Sequence, residues 1–187
     1  VLKGSQMHRE AEQYGIIRRA LPPYEVLCTP WLPFSDVLRL KMVEEMVENY
    51  YNSHQFDETL DALVSRFPSP FAFFERLAEF YESRREEQRK HSRVQRYELL
   101  LDFIRETFPE EERYFRQLLT IDYYLRERAK ARPSFAPDQT AYKEQLSEIL
   151  RQTGKQNHVE VVPVGDGQVK YLVFDYENRD PLTHAAR

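Results

Sequence analysis

The chain has 187 residues, with 27 Lys and Arg against 31 Asp and Glu, a formal net charge of −4, 5 Gly, 11 Pro and a single Cys. This composition excludes collagen-like, low-complexity and disulfide-scaffold classes, and its acidic balance argues against a protein that coats nucleic acid. No run of roughly 18 apolar residues is present to span a membrane and no basic-then-apolar leader opens the chain, so a cytoplasmic protein without a membrane partner is expected.

The opening run Val1-Leu2-Lys3-Gly4 reads as the end of a strand turning into the next helix, as if continuing from something larger. Ser5 is placed to cap a short helix reaching Tyr14, with Gly15 at its C-terminal end. Pro22-Pro23 cannot continue a helix, and the β-type residues from Tyr24 to Thr29, closed by Pro30, read as a strand or extended arm. From Ser35 the apolar period becomes helical. Val37, Leu40, Val43, Val47 and Tyr51 share a face, with Leu38, Met42 and Met46 beside it, until Asn52-Ser53. Phe56, Leu60, Leu63, Val64 and Phe67 mark a second helix. Ser69-Pro70 is a cap and first-turn signal for a third, carrying Phe71, Phe74, Leu77, Ala78 and Tyr81. A fourth starts near Arg93, carries Tyr97, Leu100, Leu101 and Ile104, and breaks at Phe108-Pro109. The fifth opens on Glu110-Glu111-Glu112 and closes on Arg126, Arg128 and Lys130, charges suited to the two ends of a helix dipole. After Pro133 and Pro137 a last helix, Asp138 to Thr153, ends at Gly154.

The tail is β-rich: His158 to Val164 and Val169 to Tyr176 flank Gly165-Asp166-Gly167-Gln168, a strong hairpin signal. A lone hairpin is marginally stable, so the Tyr24 to Thr29 segment is expected to join it as a third strand. The expected fold is mainly α, with about six helices and a small C-terminal β-hairpin pairing with an N-terminal strand. Residues 1–34 form an arm with one short helix and one strand, 35–154 a helical bundle, and 155–187 a hairpin and tail packed on the same domain.

Chemical motifs are sparse. The five histidines are scattered, with neither His-Glu-x-x-His nor Glu-x-x-His spacing, which argues against a zinc peptidase or a di-iron bundle. His8 with Glu12, and Glu87 with His91, read as surface pairs one helical turn apart. Asp175, Glu177, Asn178 and Asp180 lack the grammar of a calcium loop and read as a polar strand end. Cys28 sits in an apolar stretch and reads as a packed thiol. The basic run Arg84, Arg85, Arg89, Lys90, Arg93 and Arg96, interleaved with Glu86 and Glu87, reads as a solvated face, so a nucleic-acid partner is not expected. No catalytic, cofactor-binding or metal-ligating residue is therefore expected in this chain.

Leu2-Lys3-Gly4-Ser5-Gln6-Met7, Tyr14-Gly15, Pro22-Pro23-Tyr24-Glu25-Val26-Leu27, Tyr50-Tyr51-Asn52-Ser53 and Gln55-Phe56 stand in order along the chain. Together with Phe174-Asp175-Tyr176 and Arg179-Asp180-Pro181-Leu182-Thr183, this set resembles the C-terminal region of radical SAM proteins that also carry an N-terminal cobalamin-binding domain. That region is a domain of unknown function following the barrel. The resemblance implies that residues 1–34 include the end of the barrel. It also implies a parent Fe–S oxidoreductase with a 4Fe-4S cluster, S-adenosylmethionine and cobalamin, whose missing cobalamin-binding and radical SAM domains are the partners of this chain. The expected role is a non-catalytic accessory domain that caps the barrel or helps bind substrate. Leu2, Lys3, Gly4, Ser5, Tyr24, Trp31 and Phe34 are the expected docking residues. The alternative is a helical module that recruits a protein or nucleic-acid partner.

Overall fold

The computed structural model describes residues 1–129 and 131–186, so Lys130, expected at the basic end of the fifth helix, lies outside the described residues. Ser5 starts the first regular element. Its Oγ accepts from the His8 amide at 3.2 Å and caps α1 (Gln6–Glu10), which stops a turn earlier than Tyr14. Two short strands, β1 (Ile17–Arg18) and β2 (Val26–Cys28), pair antiparallel with Ile17 opposite Cys28. α2 (Phe34–Met46) follows Pro33 and runs into one π-helical turn, Val47–Tyr51. In that turn the Asn52 amide donates to the Val47 carbonyl, five residues back, at 2.9 Å.

The bundle continues with α3 (Asp57–Val64), α4 (Pro70–Ser83), α5 (Arg93–Thr107) and α6 (Glu112–Arg126). Local signals set their starts. Ser69 Oγ accepts from the Ala72 amide at 3.1 Å with Pro70 in the first turn, and Ser92 and Gln95 exchange side-chain and backbone bonds in a capping box. α7 (Lys143–Thr153) begins later than Asp138 because Asp138 Oδ1 accepts from the Thr140 amide at 3.0 Å and turns residues 140–142 into a single 3-10 turn. β3 (His158–Gly165) and β4 (Gln168–Phe174) close the chain as the expected hairpin. Seven helices and two strand pairs among the described residues make a mainly α fold.

Rings fill the interior. Tyr50, Phe56, Phe73, Tyr97, Phe103, Phe115 and Tyr124 are all fully buried, with Tyr50 to Phe56 at 4.8 Å and Phe56 to Tyr97 at 4.4 Å between centroids. Each buried phenol of this chain of contacts finds a partner. Tyr50 and Tyr81 hydroxyls meet at 2.6 Å, Tyr50 Oη donates to the Arg96 carbonyl at 3.1 Å, and Tyr97 Oη donates to the Gln55 carbonyl at 2.7 Å. Burial pushes the Tyr81 pKa up to about 12 and that of Tyr50 well above the ordinary phenol value.

Three expectations are corrected. The Tyr24 to Thr29 segment does not join the hairpin; its strand β2 pairs with β1, and the two sheets stay separate. The outer edge of β3 is already occupied, because Gln139 Nε2 donates to the Val159 carbonyl at 3.5 Å and its Oε1 accepts from the Val161 amide at 3.3 Å. Pro163, next along that edge, has no N–H to offer. Val1-Leu2 is not the end of a strand, since residues 2–5 form a turn in which the Ser5 amide reaches the Leu2 carbonyl at 3.2 Å. Finally, α2 buries Val43 and Met46, and Tyr50 follows them in the π turn, whereas Leu40 and Tyr51 of the expected face are exposed. Apolar residues surround α2 on nearly all sides, and the helix meets both α4 and β2, so Val37, about half a turn from Met46, is buried as well.

Asp122 of α6 is only 2% exposed, and its oxygens accept from the amides of Glu58 (3.0 Å) and Thr59 (2.9 Å) at the start of α3. Those are amides that a helix start leaves without intrahelical partners. Burial pushes the Asp122 pKa up to about 7, against the opposing pull of these amides. The native carboxyl thus keeps its proton where an unfolded aspartate has lost it. This group should make stability fall as pH rises from about 4 to about 7, by on the order of 4 kcal/mol. In Asp122→Asn that contribution should vanish. Urea unfolding across the same pH range reads the difference, and identical slopes in the two proteins would rule out Asp122 as its source.

Candidate functional site

Three places carry chemistry or exposed surface: the N-terminal arm, a buried charge network, and a cleft beside that network. In residues 1–34 only Ala11 is buried. Nine of the fifteen exposed large hydrophobic side chains among the described residues fall within the first forty positions, so the apolar surface is gathered there. The arm is nevertheless held in shape. Gly15, at φ +62°, lies where a Cβ would come within 2.9 Å of Pro30 Cγ, so no larger residue fits between the two limbs. Lys41 of α2 pairs with Glu25 at 2.8 Å.

Each expected docking residue has a definite place. Leu2 is 77% exposed, Lys3 and Gly4 are exposed, and Ser5 caps α1 while its hydroxyl donates to the Leu2 carbonyl at 2.7 Å. The Val1 nitrogen donates to the Tyr24 carbonyl at 2.6 Å, which brings this opening turn beside half-buried Tyr24. Trp31 projects from a tight turn closed by two backbone bonds between Thr29 and Leu32, at 2.9 and 3.3 Å, and is 78% exposed. Phe34, exposed, is the first residue of α2. The Tyr50 to Ser53 corner is different, because Tyr50 belongs to the core and only Tyr51 and Asn52 of the four are exposed.

The buried network was not legible as a site. Glu160 of β3 is fully buried and accepts from Arg132 through both guanidinium nitrogens, Nη1 to Oε1 and Nη2 to Oε2, the latter at 2.9 Å. Arg132 also donates to the Pro137 carbonyl from Nη2 at 2.7 Å and from Nε at 3.2 Å. His158 Nε2 meets Glu160 Oε1 at 2.5 Å, and its ring stacks on Tyr124 of α6 with 3.5 Å between centroids. Burial pushes the Tyr124 pKa up to about 12. The arrangement ties the 131–137 loop, the hairpin and α6 together through one carboxylate. Its trace in the sequence is slight: an acid between Val159 and Val161, two residues after His158, in a strand whose remaining residues are apolar or glycine.

Beside it lies a cleft of about 460 Å³ between α6, the segment leading into α7, and β3. Arg113, Gln117 and Ile121, four residues apart on α6, line one wall, and Tyr142, Val161 and Pro163 line the other.

Other candidates resolve into structure. In the basic run Arg84 pairs with Asp102 and Glu106, Arg89 with Glu86, and Arg93 with Glu127. His91 bonds to Glu86, not to Glu87, because residues 84–92 form a loop and no helical turn brings Glu87 opposite. Nor do His8 and Glu12 share a helix, since α1 ends at Glu10. Asp175 Oδ1 accepts from the amide of Glu177 at 2.8 Å, and Asp180 Oδ1 from that of Thr183 at 2.8 Å, so these acids close turns after β4. Cys28 is half-buried in β2. Among the described residues no cluster of three His, Cys, Asp or Glu side chains could hold a metal ion, and no helix is long and apolar enough to cross a membrane.

The model of a family described as Protein of unknown function (DUF4080) matches residues 12–168. Neither a curated protein nor a solved structure matches the chain.

Glu160→Ala takes the carboxylate from a part-buried Arg132, leaving its guanidinium the Pro137 carbonyl, and should cost about 3 kcal/mol in chemical denaturation. Replacing both partners, Glu160→Leu with Arg132→Met, should recover most of that loss. If the single variant lost less than about 1 kcal/mol, the ion pair would not be what holds the loop to the hairpin.

Proposed function

The chain belongs to the DUF4080 family, proteins of unknown function, and we propose that it is a non-catalytic accessory domain whose N-terminal arm docks on the barrel of a radical SAM Fe–S enzyme. The observation that carries this reading is the arm itself. Its turns are held by Gly15 against Pro30 and by the Thr29 to Leu32 bonds, yet it buries one residue and exposes Leu2, Ile17, Leu21, Trp31 and Phe34. An apolar surface held in shape but left without a core is suited to being covered by another body. The resemblance of the Leu2 to Met7 and Pro22 to Leu27 motifs supplies the identity of that cover, the barrel of a parent that would use a 4Fe-4S cluster, S-adenosylmethionine and cobalamin. Covering the barrel mouth would keep water from a radical intermediate and help hold the substrate.

The residues of this chain do not fit the cluster. Three thiolates are needed and the chain has one cysteine, Cys28. No step of the parent's chemistry is assigned to it.

In a protein that carries the cobalamin-binding and radical SAM domains ahead of this chain, amides of residues 24–34 should exchange about tenfold more slowly than in the isolated chain. Trp31→Glu combined with Phe34→Glu should remove that protection. Equal exchange in the long and short proteins would rule out docking through the arm. A separate measurement addresses catalysis: anaerobic reconstitution of the isolated chain with iron and sulfide should give no cluster absorbance and no cleavage of S-adenosylmethionine. A stoichiometric cluster would overturn the non-catalytic assignment.

A further inference from the structure

We propose that the cleft between α6 and β3 is a binding site for a free aromatic amino acid, with its ammonium and carboxylate received by Glu110 and Arg113 at one end and its ring by the apolar wall at the other. The charged end is defined by what is left unpaired. Of the three acids that lead into α6, Glu111 pairs with Arg66 at 2.8 Å, and Glu112 with Arg105 at 3.0 Å and Arg116 at 2.7 Å. Glu110 has no partner among the described residues, and neither has Arg113, although the two stand three residues apart on the same wall. The other two charged residues of the lining are held, Arg132 by Glu160 and the Pro137 carbonyl, and Asp138 by Thr140. One cation and one anion are therefore left for a ligand.

Side chains three apart on a helical surface stand roughly 5–6 Å from one another, which suits a head whose two charges sit on a single carbon. An ion of one sign is not selected, because Arg113 and Arg132 share the lining with Glu110 and Asp138, and it would meet as much repulsion as attraction. A peptide does not fit either, since its ammonium and carboxylate lie at opposite ends of the chain. The hydroxyls of Tyr114 and Tyr142 also lack partners among the described residues. Being neutral, they can bond to the head without choosing its charge.

The ligand's body follows from the rest of the wall. From Arg113 to Ile121 α6 rises about 12 Å, and over that rise the lining passes from charged to apolar. Leu118 and Ile121 stand across from Val161 and Pro163, and Tyr114 and Tyr142 bring a ring from each side, so a flat apolar body is suited to the space. The two glutamines of the lining place no demand on it. Gln139 uses both ends of its amide on the β3 backbone, and the Gln117 nitrogen is sealed from the cleft. The volume of about 460 Å³ lies in the range of small-molecule sites and leaves room for a bicyclic ring with its head.

The test compares L-tryptophan with tryptamine, which lacks the carboxylate, and indole-3-propionate, which lacks the ammonium. In titrations of the chain followed by nitrogen–proton correlation spectra, L-tryptophan should give saturable shifts at the amides of Arg113 and Val161. Each analogue should bind about fivefold more weakly, the size expected of one partly exposed ionic contact. Arg113→Gln should erase the advantage over tryptamine and keep that over indole-3-propionate, and Glu110→Gln should do the converse. Both side chains are exposed, so neither substitution disturbs the core. Absence of saturable shifts, an analogue that binds as tightly as L-tryptophan, or advantages that survive the matching substitutions would each overturn the proposal. The outcome is independent of the docking role, because the cleft shares no residue with the arm.

Discussion

A carboxyl in an apolar interior must find hydrogen-bond partners, and Asp122 finds them at the start of α3, on the amides of Glu58 and Thr59. The rest of the bundle follows from that bond between two helices more than sixty residues apart. It sets α6 against α3, and the same stretch of α6 then serves everything after it. Arg126 reaches Asp57 at 3.0 Å and the Thr183 carbonyl, the Leu125 carbonyl accepts from the Ala186 amide at 2.8 Å, and Tyr124 stacks on His158. Helix α6 is thus in contact with the early helices, the hairpin and the tail within two turns. Its neighbours meet through it more than through one another.

The chain divides by how it is held. From α2 onward, burial of rings and aliphatic side chains supplies cohesion, and polar bonds select geometry. Before α2 the order reverses: a capped turn, two short paired strands, a close glycine contact and one lysine–glutamate pair hold a segment with almost no interior. Exposed pairs of this kind are weak individually. A segment organised by them keeps its shape while its apolar side chains stay on the outside.

What could be read from the sequence was local. Ser5, Ser69-Pro70 and the Asp166-Gly167 turn each act through neighbours three or four residues away, and each appears where expected. What could not be read depends on distant partners. Asp122 and Glu160 look like ordinary acids in a row; only the approach of α3 to one and of Arg132 to the other makes them interior anchors. The hairpin motif implies a need for cover, and a third strand is the cover its pattern suggests. Helices and the Gln139 side chain supply it instead, because a side-chain amide carries the same donor and acceptor as a peptide group. For α2 the difficulty was excess of signal, since apolar residues on nearly every side left the buried row undetermined until α4 and β2 were both in place. Of the proposed docking residues, Leu2 stands in a motif of the resemblance and Trp31 and Phe34 in the apolar, aromatic run after Tyr24; that all three side chains stay outside the core is legible only in the fold.

The π-helical turn at Val47–Tyr51 holds one residue more than an α-turn between the same carbonyl and the amide that closes it. That extra residue is a phase shift written into the chain. It turns everything after it by about 100° relative to a continuous α-helix, and Phe56 arrives on Tyr50 and Tyr97 with that rotation included. Chain length at this corner is therefore a structural quantity in its own right. Glu48, Tyr51 and Asn52 face solvent and would accept many other side chains, yet the number of residues between Met46 and Phe56 is set by the rings on either side.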